Sequence, residues 1–358
     1  MNTMFLFKKA SILTLGLGLI ILGTETKANA ALFNTYQFNG KGNWSIDGVG
    51  SNSSPVGTLE ALVPSGSTIE KAFLYSSLYS LSGNTNLNNI IFDGTTYDAT
   101  NFVALGDFNP NPSVPTFTLG AYRADVTSQV ASKIGNGGGT FSFTINSENP
   151  NLNIDGEILA IVYSNPSEQE RTIAFLDGFS TSGGDLTTVN LAEPLDLTQP
   201  SFEALLSLGI GFGFQPSSQF SQVDIDGRRL TSSAGGQDDG ISTNGGLITV
   251  GGLGDSPTNP SNPFASPTNQ FSDDELYNLA LGNSLDSNPF LTQGATSFTI
   301  KTQNPSLDDN IFFAGINITA KAGVNNPPPT AKTPEPASVL GLLAIGGLGF
   351  LGKKKQLV

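Results

Sequence analysis

SFTINSENPNL (residues 142–152) and SFTIKTQNPSL (residues 297–307) agree at seven of eleven positions. Each opens on SFTI, a polar–apolar alternation with the period of a half-buried strand. Each then reaches Asn-Pro, where the run must turn, because proline has no ladder donor and restrains the residue before it. An apolar run follows each copy, EILAIVYS after the first and IFFAGINIT after the second. The pattern is strand, turn, strand, and it occurs twice.

The flanking sequence repeats as well. Upstream, IFDGTTYDAT (residues 91–100) resembles DIDGRRLTSS (residues 224–233) through a shared Asp-Gly, a hairpin signal. Between these markers each half holds a short helix-like segment, RADVTSQVA in the first and DDELYNLAL in the second. In the second, Ser272 and Glu275 form a capping box and Gly282 falls where a C-terminal cap would lie. Asp93 to Ser142 spans 49 residues and Asp226 to Ser297 spans 71. The excess lies in a Gly, Asn, Ser and Pro-rich stretch, expected as a long surface loop near residues 231–270 with LITV as a small strand. Short β-rich runs bounded by Gly, Asn, Pro or Ser fill the rest, and helical periodicity is scarce. The fold class is therefore all-β: two tandem jelly-roll-like β-sandwich modules, residues 31–172 and 173–322, with a few short helices.

The two ends do not belong to that body. MNTMFLFKK, then SILTLGLGLIILG, then a small-x-small pattern at Ala28-Asn29-Ala30 reads as a signal peptide over residues 1–30, cut after Ala30. At the other end three prolines, Pro327 to Pro329, open an extended linker over residues 323–333. Pro334-Glu335-Pro336 follows, then an apolar run over residues 337–352, then Lys353-Lys354-Lys355. As a helix that run reaches about 24 Å against a hydrocarbon core of about 30 Å, the short limit for a transmembrane helix.

Composition limits the chemistry. The chain has 358 residues, no cysteine and no histidine. Disulfides, Cys nucleophiles and Ser-His-Asp triads are excluded, and zinc loses its usual ligands. The two ends carry six lysines against two acids. The body between them holds ten basic and twenty-eight acidic residues, a net charge of −18. Such a surface repels nucleic acid.

Only carboxylates remain as reactive groups. Asp224-Ile225-Asp226-Gly227 starts like a calcium loop, but Arg228 and Arg229 follow at once and oppose a cation. Asp308-Asp309-Asn310 and its counterpart Asn153-Ile154-Asp155-Gly156 read as turn residues after the Asn-Pro, and Asp238-Asp239 as solvated loop. No catalytic, metal or cofactor residue is singled out. Trp44 is expected as a core anchor, with Tyr75 and Tyr79 as aromatics within reach of a surface.

The tail closely resembles the PEP-CTERM sorting signal of Gram-negative bacteria, with its three parts in order. That resemblance implies export through the Sec translocon, cutting by signal peptidase, transient inner-membrane insertion, and recognition and removal of the tail by an exosortase. The lysines hold the end on the cytoplasmic side. The sorting residues are then Pro334, Glu335, Pro336, Lys353, Lys354 and Lys355, with Ala28 and Ala30 at the signal-peptide cut. Such tails are common in biofilm-forming and cyanobacterial lineages, which implies a cell-surface or matrix setting with exopolysaccharide as a partner. LVPSGSTIEKAFLY, YRADVTSQV and the strands after them resemble β-sandwich domains of microbial surface proteins without an assigned activity. The expectation is an exported, non-enzymatic, structural or adhesive protein. A carbohydrate-binding module and a polysaccharide hydrolase are the alternatives.

Overall fold

The computed structural model describes residues 32–326, apart from residues 53, 82–86, 88, 109–117, 148–152, 181–182, 214–218, 236–246, 267–274 and 308. The signal-peptide and sorting-tail helices expected at the two ends lie outside the described residues. The chain is all-β. It runs through β1 (Phe33–Gly50), β2 (Val56–Val63), β3 (Thr68–Ser80), β4 (Ile90–Phe92), β5 (Thr95–Tyr97), β6 (Phe102–Phe108) and β7 (Thr118–Asp125). Helix α1 (Thr127–Ile134), β8 (Gly139–Asn146) and β9 (Asn153–Ser164) complete the first set. The second set is β10 (Glu170–Asp177), β11 (Asp185–Leu191), β12 (Ala204–Gly211), β13 (Ser221–Ile225), β14 (Arg228–Ala234), β15 (Ile248–Val250), β16 (Leu276–Asn278), β17 (Ser297–Gln303) and β18 (Asn310–Ile318), with β19 (Ala322–Val324) last.

The repeated sequence becomes repeated topology. One outer sheet has the order β2-β8-β4-β5, and the other contains β11-β17-β13-β14. The two SFTI strands, β8 and β17, hold the same place, and so do Phe143 and Phe298, both buried. Asp93 and Asp226 take φ values of 45° and 48°, followed by Gly94 and Gly227 at 80° and 79°. These are the left-handed pairs of type I′ hairpins. The Asp93 amide donates to Thr144 O at 2.7 Å and the Asp226 amide to Thr299 O at 3.0 Å, the third residue of SFTI in each copy.

The inner strands form a single sheet of order β15-β12-β18-β10-β1-β9-β3-β7-β6, with β16 also on β12. β1 joins its two wings: Phe33 to Lys41 pair with β10, and Gly42 to Gly50 pair with β9. The sheet is folded over at β1. In a flat sheet β3 and β18 would lie four strand spacings apart, about 19 Å. The rings of Tyr75 on β3 and Phe313 on β18 are 5.0 Å apart. The result is four layers with three apolar cores. On β9, Leu159, Ile161 and Tyr163 face the first outer sheet. Ile158, Ala160 and Val162, alternating with them, face the other wing in a core shared with Phe175, Phe312 and Phe313. The third core lies between β12, β18 and the second outer sheet. Small residues let the wings close: a Cβ on Gly209 would lie 2.6 Å from Ile158 Cδ1, and one on Gly315 would lie 2.7 Å from Trp44 Cζ3.

The outer edges are closed differently in the two halves. Along β2, the amides of Glu60 and Leu62 donate to side chains of β1, Asp47 at 2.5 Å and Ser45 at 2.9 Å. Along β11, the equivalent place is taken by β19. Both devices occupy part of an edge that another chain could otherwise join.

Three expectations are corrected. Among the described residues there is one helix, α1, not a few. DDELYNLAL contributes strand β16 instead of a second helix: Leu276 to Asn278 pair with Ser207 to Leu205, and Tyr277 is fully buried. Pairing with β12 outweighs the local capping signal, whose Ser272 lies outside the described residues. The stretch 231–270 is also not all surface loop. Residues 231–234 end β14, LITV supplies β15 as expected, and Ile248 and Val250 are buried between the wings. The Leu253 amide then donates to Ile46 O at 2.8 Å, tying the segment to β1.

Candidate functional site

The carboxylates divide into those that hold surface turns and those that are sealed. Asp98 and Asp196 are turn acids, each held below the usual carboxylate range by a threonine two residues on. Asp196 borders an open cleft of about 210 Å³ with Glu193, Phe202 and Lys321. Asp224, in the stretch that starts like a calcium loop, is ion-paired to Arg229 at 2.5 Å. Asp308 and Asp238-Asp239 lie outside the described residues. Tyr75, expected within reach of a surface, is fully buried, and Trp44 and Tyr79 are half-buried against the core between the wings.

The sealed acids gather where β1, β3, β9, β12 and β18 meet. Asn153 to Gly156, expected as turn residues, form the start of β9. The register of β9 against β3 slips there, Ser77 opposite Gly156 and Leu78 opposite Ile154, so Asp155 is the extra residue of a bulge. The bulge turns Asp155 toward the other wing. Its Oδ2 accepts the Ser77 hydroxyl at 2.8 Å, and the Phe212 amide at the end of β12 also donates to it. Glu157 points the other way, and its Oε2 accepts the Ser51 hydroxyl at 2.5 Å. Both acids are fully buried. Burial pushes Asp155 up to about 7 and Glu157 up to about 8, the latter helped by the neighbouring Asp155 charge.

The second half has its own pair at the same pole. Glu275 accepts the Gly235 amide at 2.8 Å and the Thr249 hydroxyl at 2.6 Å. Asp309 accepts the hydroxyls of Ser221 at 2.9 Å and Ser306 at 3.2 Å. All four acids have no exposed surface. The partners named here are hydroxyls and backbone amides, which stabilise a carboxyl group in place, and no group of three His, Cys, Asp or Glu that could hold a metal ion is found among the described residues. Sequence reasoning missed these residues because a buried Asp beside Gly looks like a turn. The one available sign was an acid inside an otherwise apolar run, Glu157 before ILAIVY.

The residues expected to direct export and sorting, Ala28, Ala30, Pro334, Glu335, Pro336, Lys353, Lys354 and Lys355, lie outside the described residues, but the strands next to them in sequence do not. Leu32 is buried in the core of the second half. Two residues on, the Asn34 side-chain amide donates to Val324 O at 2.9 Å. Gln37 donates to Ala322 O and accepts from the Val324 amide, both at 3.0 Å. The first described strand therefore clamps the last described one. In an Asn34→Ala, Gln37→Ala variant, hydrogen exchange at the Val324 amide should accelerate about tenfold, with mid-strand β9 amides unchanged. Equal exchange at Val324 in both proteins would show that the backbone ladder with β11 holds β19 alone.

Residues 26–205 match the family model "Protein of unknown function (DUF3344)". Residues 332–355, which include Pro334-Glu335-Pro336 and the three lysines, match the PEP-CTERM protein-sorting motif. No curated protein matches the chain. A solved structure of recombinant N-glycanase F (PNGase F) is 12% identical over 80% of this chain and 98% of that one, with a TM-score of 0.23, too low to carry an argument.

Proposed function

The chain belongs to the DUF3344 family and ends in a PEP-CTERM protein-sorting motif, and on that premise we propose that its mature body is a non-enzymatic structural or adhesive component of the cell surface and its matrix. Export and exosortase targeting follow from the motif itself. The role of the body is inferred from one observation above all. The buried acids that could do chemistry, Asp155, Glu157, Glu275 and Asp309, are enclosed in the fold and reach no surface. A general acid must come within hydrogen-bond reach of its substrate, and these are spent on holding strand ends together.

Two further features support the reading. The four layers are held by burial and hydrogen bonds with no disulfide, so the fold is indifferent to the redox state outside the cell. The first and last strands leave the body side by side, so both ends of the mature chain attach at one place. In this reading the tail is held in the inner membrane, an exosortase removes it, and the body then joins the surface or the exopolysaccharide.

The deciding experiment measures intact mass and location in wild-type and exosortase-deficient cells, with adhesion and matrix cohesion scored in cells lacking the protein. Processed protein in the matrix fraction, and weaker cohesion without it, is the expected result. Free protein in the medium with unchanged cohesion contradicts the reading. Glycan binding lost with EDTA would instead make the body a carbohydrate-binding module. Polysaccharide turnover abolished by one Asp or Glu substitution would make it a hydrolase.

A further inference from the structure

The bulge at Asp155 does more than end a strand pair. Asp155 belongs to one wing of the inner sheet and accepts the Phe212 amide of the other. Beside it Gly211 is packed so closely that a Cβ would lie 1.9 Å from Ser77 Oγ and 3.3 Å from Asp155 Oδ2. Asn310 stands directly opposite Gly211 in the β12–β18 ladder, so its side chain leaves the sheet on that same face. Two oxygens here, Asp155 Oδ1 and Asn310 Oδ1, are buried without a hydrogen-bond partner. Both are acceptors when Asp155 is ionised. A proton on Asp155 changes that, since a carboxylic acid donates.

We propose that this seam is a proton-operated lock between the two wings, closed while Asp155 is protonated and loosened when it ionises, with Glu157 adding its charge from the other face of β9. The charged neighbours offer no relief to an ionised Asp155. Glu157 is two residues away on its own strand, and its Oε2 already takes the Ser51 hydroxyl. From β3 comes Tyr79, whose ring packs on Phe212 at 5.2 Å. From the second half come Glu275 and Asp309 around Gly235. No basic side chain among the described residues acts on Asp155 or Glu157. Ionisation therefore leaves charge on Asp155 Oδ1 with no donor to meet it, in a site closed to water where burial outweighs the Ser77 and Phe212 hydrogen bonds to Oδ2.

The sign follows from the direction of the shift. Both groups hold their protons more tightly folded than unfolded, where carboxyls titrate near about 4. Their contribution to stability is complete below that value and is lost as pH rises through about 7 for Asp155 and about 8 for Glu157. The loss falls on the seam first, because the Asp155 contact to Phe212 crosses it.

The protein carries its own reporter. Trp44 is the single tryptophan, and its ring lies against Gly315 across the same seam. The experiment takes the mature exported protein from pH 5 to 9 and follows acrylamide quenching of Trp44. It also follows hydrogen exchange at the Phe212 amide relative to the Ile161 amide in mid-β9. Quenching should rise with a midpoint between about 7 and 8, and relative exchange at Phe212 should increase about tenfold across it. Asp155→Asn with Glu157→Gln, which keeps shape and removes both charges, should hold the low-pH signal throughout. Flat quenching from pH 6 to 9, or the same transition in the double variant, overturns the lock. Should the double variant fail to fold, the exchange ratio in the unaltered protein decides, and a ratio constant across pH overturns it equally.

Discussion

Phe313→Ala is expected to destabilise the protein by about 3–5 kcal/mol, among the largest effects of any single core truncation in this chain. Phe313 is fully buried on β18, with ring centroids 5.0 Å from Tyr75 and 5.4 Å from Phe175. Tyr75 belongs to the opposite wing, so the truncation removes bulk at the place where the folded-over sheet meets itself. The surroundings cannot collapse into the gap, because the flanking small position, Gly209, is already in contact with Ile158. Denaturant unfolding of the mature protein checks the figure, with Phe264→Ala as the control. Phe264 is 69% exposed, and its loss should change stability by no more than about 0.5 kcal/mol. The shape of the transition is informative as well. One cooperative step in the wild type and two in Phe313→Ala would mean that the middle core couples the outer sandwiches. A Phe313→Ala protein within about 1 kcal/mol of wild type would show that the wings are not packed on one another.

The second large effect concerns export. Glu335→Ala keeps the apolar run and the three lysines, so membrane insertion should survive while removal of the tail falls severely. The reason lies in the sequence: prolines on both sides disfavour a helix, and Glu335 is the one acid at that junction a protease could read. Deleting residues 337–352 should have the opposite outcome, release of unprocessed protein, since nothing then holds the chain in the bilayer. Neither change should alter thermal unfolding of the body, because the last described strand, β19, ends at Val324 and is fixed by β11 and by Asn34 and Gln37. Immunoblots of membrane and medium fractions separate the outcomes. Normal processing of Glu335→Ala, together with retention of the deletion variant, would place the envelope-binding determinant in the body instead of the tail.

Much of the architecture was legible residue by residue. SFTI alternates and forms β8 and β17; Asp-Gly demanded two left-handed residues and obtained them at Asp93-Gly94 and Asp226-Gly227. LITV became β15. The misreadings share one cause, a local signal overruled by a distant partner. Leu276 to Asn278 had a helix start before them, yet an open edge on β12 took them as a strand. Asn153 to Gly156 had turn chemistry, yet pairing with β3 and β1 drew them into β9. The candidate site was hidden for the same reason, since an acid is assigned to solvent until something is known to cover it.

By itself, then, the sequence determined the all-β class, the doubled strand order, the hairpin turns and the sorting motif at the C-terminal end. Each rests on patterns only a few residues long: period-two alternation, glycine and proline punctuation, and the hydropathy of short runs. Only the tertiary structure decided that the two inner sheets are one sheet folded at β1. The apolar runs of β9, β10 and β18 are buried on both faces, and periodicity cannot say what covers the second face. That same folding sealed Asp155 and Glu157 between layers, and low dielectric surroundings rather than residue type gave them their raised proton affinity.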